Sequence, residues 1–450
     1  MHTTIDLPAQ DASGSGAAPV VDANPIRRTA WRAVILVSTI ILMAGMVRLA
    51  FSPLQEAAKA ELGLTDYQIS LIQGIAAALP MALIAIPLGW LTDHTKRTRI
   101  MLVLGLCWTV GMVGSAFAND FTTLFVTRML AGLGTMSLVP VAISVLADMS
   151  AAEQRGRAML FLGMGNTLGP ALAFVIGGAL FTAFSGDLHL PGIGLTPWRE
   201  TSLVFGLASA AMLLLQFLVR EPARHEVENT SKALKPLIQA LLRRWKFLLP
   251  LFVGQISVIM ADAAAGVWAV PVMQRDLHMS VGEASGLLGG ILMLAGVLGP
   301  VVAGFVADRG HKSSIRGGIM IGAVIASAIG IPAALFPIMT SVPVFAGVLF
   351  VLLIAGSMTG LITATAIAVL IPNEERGVCL GAFMILGALI GLGLSPILVT
   401  LGSRALGGES HLGLSLAIVG VATGVISFAG FVISMMNAPV RAVLTSADHG

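Results

Sequence analysis

The chain has 450 residues, 56% of them hydrophobic and 11% charged, with a mean hydropathy of +0.92 and a formal net charge of +3. This balance excludes a soluble globular domain. Apolar runs of about 20 residues also exclude a β-barrel, whose strands alternate apolar and polar over about 10. Residues 1–30 open small, polar and acidic, without the charged start and short apolar core of a signal peptide, and read as a disordered cytoplasmic tail. Spanning helices are predicted near 33–54, 69–91, 100–118, 121–147, 158–184 and 201–219, making a six-helix bundle within 31–220. The longest polar connection, 221–246, is expected to be a cytoplasmic linker. Its second part puts Leu234, Leu237, Ile238, Leu241 and Trp245 on one face beside Lys235, Arg243 and Arg244. That pattern predicts an amphipathic helix on an anionic membrane surface, or an inward extension of the next span. Six further spans are predicted near 247–272, 284–306, 317–339, 342–371, 377–402 and 412–437, a second bundle within 247–438, followed by a cytoplasmic tail at 439–450. The predicted fold class is an all-α polytopic membrane protein of twelve transmembrane helices in two six-helix bundles.

Charge sets the topology. With the amino terminus inside, the inner segments hold 20 Lys and Arg and the outer segments four (Lys59, Arg199, Arg275 and Arg404), with Arg48 and Arg128 inside spans completing the 26. The positive-inside rule places both termini in the cytoplasm. The high pI thus needs no nucleic-acid partner, and the lipid bilayer is the expected one. A monomer in a bacterial inner membrane is the expected setting. Cys107 and Cys379 lie in apolar surroundings and imply no disulfide framework.

An internal repeat appears at an offset of 215 residues. GWLTD at 89–93 falls on GFVAD at 304–308, and ELGLTDYQIS at 61–70 on DLHMSVGEAS at 276–285. Duplicated halves are a mark of transporter folds with a binding site near the midplane between the repeats.

GWLTDHTKRTR between helices 2 and 3 and its echo GFVADRGHKSSIR between helices 8 and 9 resemble the signature of the major facilitator superfamily, over about residues 30–438. Within it the chain most resembles the spinster-like branch, through RMLAGLG at 128–134, WRETSLVFGL in helix 6, VWAVPVMQRDLHMS at 267–280, PNEERG at 372–377 and GLGLSP at 391–396. The resemblance implies two pseudo-symmetric bundles rocking about a central cavity. It also implies carriage of amphipathic anions, lysophospholipid-type molecules among them, with proton linkage. Two acids usual in the branch are missing: Val47 stands before the helix 1 Arg, and Thr135 follows the helix 4 glycines.

Asp262 is the one carboxylate deep within an apolar stretch, and a charge there costs at least about 2.5 kcal/mol on insertion scales. The 215 offset maps it onto position 47, beside Arg48. Asp262 is therefore expected to replace the missing helix 1 acid, facing Arg48 across the cavity and exchanging that contact for a proton when substrate claims the guanidinium. A static ion pair, or a neutral Asp on a backbone carbonyl, is the structural alternative. Arg48 suits anchoring a carboxylate or phosphate through its planar fork. Arg128 reads equally as a coupling or a packing residue. Asn166, in the helix 5 segment GMGNTLGP, and Gln255 are candidate cavity-lining groups, as are Thr167, Gln73, Thr363 and Thr365. For the glycines and proline of that segment, close helix packing is the favoured role. Trp268 reads as a cavity wall or an interfacial aromatic. The resemblance makes Gly89, Asp93, Arg97, Gly304, Asp308 and Arg309 a conformational gate in the inner loops.

No phosphate-cradling loop, metal-ligand spacing or Ser-His-Asp set occurs, so neither an enzyme nor a bound cofactor is expected, beyond a proton as coupling ion. The expected function is a secondary active transporter of a small or amphipathic organic anion by alternating access. An uncoupled facilitator is the alternative within that class, and a transporter-like ligand sensor the alternative outside it.

Overall fold

The computed structural model describes residues 29–192, 194–222, 242–312, 315 and 317–439. Of the expected linker helix, positions 223–241 lie outside these, as do nearly all of both expected tails. Twelve helices among the described residues are long and apolar enough to cross a membrane. The first bundle holds α1 (Trp31–Leu49), α2 (Asp66–Gln73 and Ile75–His94), α3 (Arg97–Ala116), α4 (Phe121–Met149), α5 (Arg155–Phe184) and α6 (Pro197–Gln216). The second holds α7 (Trp245–Arg275), α8 (Val281–Lys312), α9 (Ile321–Ala333), α10 (Val342–Leu370), α11 and α12 (Leu412–Met436). Helix α11 runs from Asn373–Leu386 through a π-helical stretch, Gly387–Leu394, into Ser395–Ala405.

Short polar signals set the helix ends. Thr65 and Gln68 form a reciprocal capping box at the start of α2, and Asp120 caps α4 by accepting from the Thr123 N–H at 2.9 Å. Between α1 and α2 a short helix, Gln55–Leu62, ends on Gly63 at φ +63°, a left-handed cap that a side chain would strain. Inside the bundles, glycine permits backbone-to-backbone approach. A Cβ at Gly165 or Gly169 of α5 would strike the Ser38 and Leu42 carbonyls of α1, and one at Gly430 of α12 would strike Gly254 of α7. The packing role expected of the GMGNTLGP segment fits these contacts.

The bundles meet along α5–α8 and α2–α11. In the first seam Thr167 packs on Gly296 and Gly178 on Ser285; in the second, Gly74, where α2 breaks, meets the Gly393 carbonyl in the π stretch. A small apolar cluster of Met81, Met136 and Ala388 joins the bundles midway along α2 and α11. A far larger one also joins them, containing Phe51, Leu54 and Ile69 of the first with Trp268, Met273 and Val399 of the second. It sits toward the end of the molecule bearing the 50–65 and 276–280 loops, called the far end below. The opposite end, rich in Lys and Arg, is the basic end. Two other clusters each belong to one bundle: Val34, Leu88 and Met149 in the first, Phe247, Met320 and Ile367 in the second.

Candidate functional site

Arg48 lies in the last turn of α1, half-buried. Its guanidinium has no hydrogen-bond or ion-pair partner among the described residues. Its carbonyl oxygen accepts from Arg128 Nη2 at 3.1 Å. Arg128 is 4% exposed on α4, with its guanidinium 5.4 Å from the centre of the Phe51 ring. A cation bonded to the last turn of a helix complements the negative end of its dipole. Arg128 thus holds the end of α1 in place and so positions Arg48. A few residues on, α1 gives way to a polar network at the bundle junction. Gln73 Nε2 donates to Ser52 Oγ at 2.8 Å and to Gln55 Oε1 at 2.9 Å, and Gln55 Nε2 donates to the Val267 carbonyl of α7 at 2.6 Å. The α1 terminus carrying Arg48 is thereby tied to the other bundle.

Asp262 does not face Arg48, and no ion pair joins them. Its carboxyl group packs against Gly356 of α10, where a Cβ would collide with it. It lines a cavity of about 30 Å³ inside the second bundle, between α7, α9, α10 and α12. The correction has a helical cause. Successive residues on a helix are about 100° apart, so the register that pairs Asp262 with position 47 pairs Arg48 with Ala263. Val47 is fully buried within the first bundle, and its mate Asp262 points correspondingly into the second.

The remaining candidates divide. Asn166 is half-buried on α5, next to Thr167 in the α5–α8 seam. Gln255 is 4% exposed and accepts from Thr363 Oγ1 at 2.9 Å, a bond internal to the second bundle. Trp268 is neither cavity wall nor interfacial belt: it is fully buried, and its Nε1 donates to the Pro396 carbonyl of α11 at 3.3 Å.

At the basic end two arginines pair within their own bundles. Arg97, 3% exposed, pairs with Asp148 at 2.5 Å and with Glu221 at 3.2 Å, while Arg244 pairs with Glu375 at 3.0 Å. Burial alone would lift the Glu221 carboxyl, but bonds from Thr98 and Arg97 outweigh it and hold it below the usual carboxylate range. Asp93, Asp308 and Arg309 are exposed, and Gly89 and Gly304 have open space where a Cβ would stand.

Charges that bridge the bundles lie at the far end, where sequence reasoning assigned no role. Arg275, ending α7, reaches Glu56 at 2.7 Å and Asp66 at 2.7 Å. Lys59 pairs with Asp66 at 2.6 Å and with Glu409 of the second bundle at 2.5 Å. Arg404 lies 4.6 Å from the Tyr67 ring centre, and Ser70 Oγ is 3.2 Å from Thr400 Oγ1. Three of the four outer cations thus bridge the bundles; the fourth, Arg199, pairs with Glu61 within the first. The usable sequence signal was their scarcity, in a segment with Glu56, Glu61 and Asp66 close by.

Comparison with known proteins gives this arrangement its family. The sequence pattern of the Major Facilitator Superfamily matches residues 35–396. Protein spinster homolog 1 of Xenopus tropicalis is 27% identical over 312 residues, 65% of this chain and 57% of that protein, so the chain spans little more than half of that relative's length. The cis,cis-muconate transport protein of Acinetobacter baylyi is 26% identical over 380 residues, 81% of this chain and 84% of that protein. The probable sulfoacetate transporter SauU of Cupriavidus necator is 25% identical over 281 residues, 56% of this chain and 59% of that one. Among solved structures, a bacterial homolog to the human lysosomal transporter Spinster, in an inward-facing and occupied conformation, shares the fold with a TM-score of 0.76 at 20% identity, across 93% of this chain and 100% of that one. With twelve spanning helices in two related bundles and a sequence match over most of its length, the chain belongs to the Major Facilitator Superfamily, a family of membrane transporters and not of enzymes.

Proposed function

We propose that the protein is a secondary active transporter that moves a small or amphipathic organic anion by alternating access, with the proton as coupling ion. One observation carries the reading: the Arg48 guanidinium sits in a spanning helix, half-buried and without a described partner. A cation at membrane depth costs at least about 2.5 kcal/mol, and a planar fork held there suits a carboxylate, sulfonate or phosphate. Muconate and sulfoacetate, named for two relatives, are organic anions of this kind.

By the positive-inside rule the basic end is cytoplasmic. The bundles are stapled together at the far end, an arrangement that supports an inward-facing state. Transport then requires Arg275 to leave Glu56 and Asp66 as the far end opens. An uncoupled facilitator is the second reading, favoured by Val47 and Thr135 at the positions of the branch's usual acids.

The test is uptake of radiolabelled organic anions, muconate, sulfoacetate and a lysophospholipid among them, into proteoliposomes with and without a pH gradient. Flux that rises with an imposed gradient, and falls at least tenfold in Arg48→Ala, is expected. Gradient-independent flux selects the facilitator. Binding without flux selects a sensor and overturns both.

A further inference from the structure

Asp262 lies where an ionised group has nothing to hold it. Its carboxyl group sits inside the second bundle, against a cavity of about 30 Å³ whose exposed surface is almost wholly apolar. Val258, Ala261, Ala326, Leu352 and Ala355 supply much of that wall. No Lys, Arg or His lines the cavity from α7, α9, α10 or α12, and Asp262 is its sole titratable group. Gly356 of α10 leaves the space that the carboxyl group fills.

The hydroxyls at the cavity offer it no donor either. Ser257 donates to the Val253 carbonyl at 2.8 Å, Ser327 to Val324 at 3.0 Å and Thr359 to Gly356 at 2.9 Å, each within its own helix. Ser427 Oγ, on a residue 1% exposed, is buried without a partner, and so is Asp262 Oδ1. A buried carboxylate with neither counter-charge nor donor is among the costliest arrangements a protein can hold, and a proton on it removes most of that cost. Packing alone does not call for an acid here. The repeat mate, Val47, fills the matching place in the first bundle with an apolar side chain, 0% exposed.

We propose that Asp262 carries the coupling proton, held as a neutral carboxylic acid in this state and ionised when more water enters the cavity. The cavity has room for one water, which takes the proton from the carboxyl oxygen and leaves the carboxylate behind. Polar side chains mark a way toward the basic end. Ser257 and Thr359 lie on the wall, and Gln255 and Thr363, bonded at 2.9 Å, follow about a turn further along α7 and α10. Proton and anion then bind in different bundles, at Asp262 and Arg48, and are linked by bundle motion instead of by exchange within one ion pair. The coupling role rests on the transporter reading; the neutral acid itself does not.

The test begins with infrared spectra of the purified full-length protein near neutral pH, where ordinary Asp and Glu are ionised. Wild type should show the carbonyl stretch of a protonated carboxylic acid, and Asp262→Asn should lose it. In proteoliposomes, with whichever of muconate, sulfoacetate or lysophospholipid the wild type carries, accumulation driven by a pH gradient is compared with exchange at equal pH. That ratio should fall at least tenfold in Asp262→Asn. If this variant does not fold, Thr359→Val, which strips a hydroxyl from the cavity wall, should shift the frequency of the band; an unshifted band then overturns the proposal. Identical spectra for wild type and Asp262→Asn would also overturn it. Anion flux whose gradient dependence survives in Asp262→Asn sinks this inference alone; a band lost in that variant, with no anion flux by the wild type, sinks the transporter reading alone.

Discussion

The two ends of the molecule use the same residue types in opposite ways. At the far end Arg275, Lys59 and Arg404 each reach from one bundle to the other, over an apolar cluster that also spans both. At the basic end Arg97 and Arg244 are satisfied inside their own bundles, and the apolar clusters are separate. Charge that bridges the bundles holds a state; charge kept within one bundle holds that bundle. The far-end ions are therefore expected to govern the conformational equilibrium and the basic-end ions to govern stability.

The largest effect should come from Arg275→Ala, which leaves Glu56 without its partner and the nearly buried Asp66 with Lys59 alone. Breaking such a pair costs about 3 kcal/mol or more, so the far-side-open population should grow at least tenfold. Spin labels at Thr122→Cys and Ser341→Cys, exposed at the far ends of the two bundles, should report a longer distance. An unchanged distribution would detach Arg275 from the gate.

Arg97→Ala provides the contrast. It strips Asp148 and Glu221 of a buried partner and should cost about 2–3 kcal/mol of stability while leaving the spin-label distance alone. A shift in that distance would restore the basic end as a gate. A smaller loss, about 1 kcal/mol, is expected for Glu221→Gln, because Glu221 accepts from the Thr98 N–H at 2.8 Å at the start of α3. Its carboxyl is held below the usual range, so its contribution is complete above the ordinary glutamate value of about 4.3 and fades as pH falls through the lower folded value. The Tm gap between wild type and Glu221→Gln should therefore close on acidification below about pH 4; a gap that widens would reverse the assignment. Lys59→Ala should matter least, about 1 kcal/mol, since Glu409 is 43% exposed so that solvent screens that pair, and Asp66 keeps Arg275 as its partner. An effect on the spin-label distance as large as that of Arg275→Ala would contradict this ranking.

Much of the fold could be read from apolar runs, because spans of bilayer length need no tertiary information. The break of α2 at Gly74 and the π stretch of α11 could not. They arise where the two helices press backbone to backbone at Gly74 and Gly393, a contact set by packing and not by local pattern. Arg48 and Asp262 stood out as charges in apolar helices, but their directions did not. A helix that is apolar around most of its circumference has no stripe to say which way one polar residue points. The repeat supplied depth along α7 and left a one-residue, 100° ambiguity, which the structure resolves in favour of Ala263 as the counterpart of Arg48. The far-end cluster escaped notice because its members come from four separate segments and meet only in three dimensions.

The central claim, that the far-end staple opens and recloses in each cycle, has a direct test. Ser70 of α2 and Thr400 of α11 bring their hydroxyl oxygens to 3.2 Å across the bundle boundary, close enough for a disulfide once both are cysteine. In a background with Cys107 and Cys379 replaced, Ser70→Cys with Thr400→Cys should lose anion flux in proteoliposomes on oxidation and regain it on reduction, each single variant being unaffected. A fully oxidised double variant that transports at the reduced rate would contradict the account.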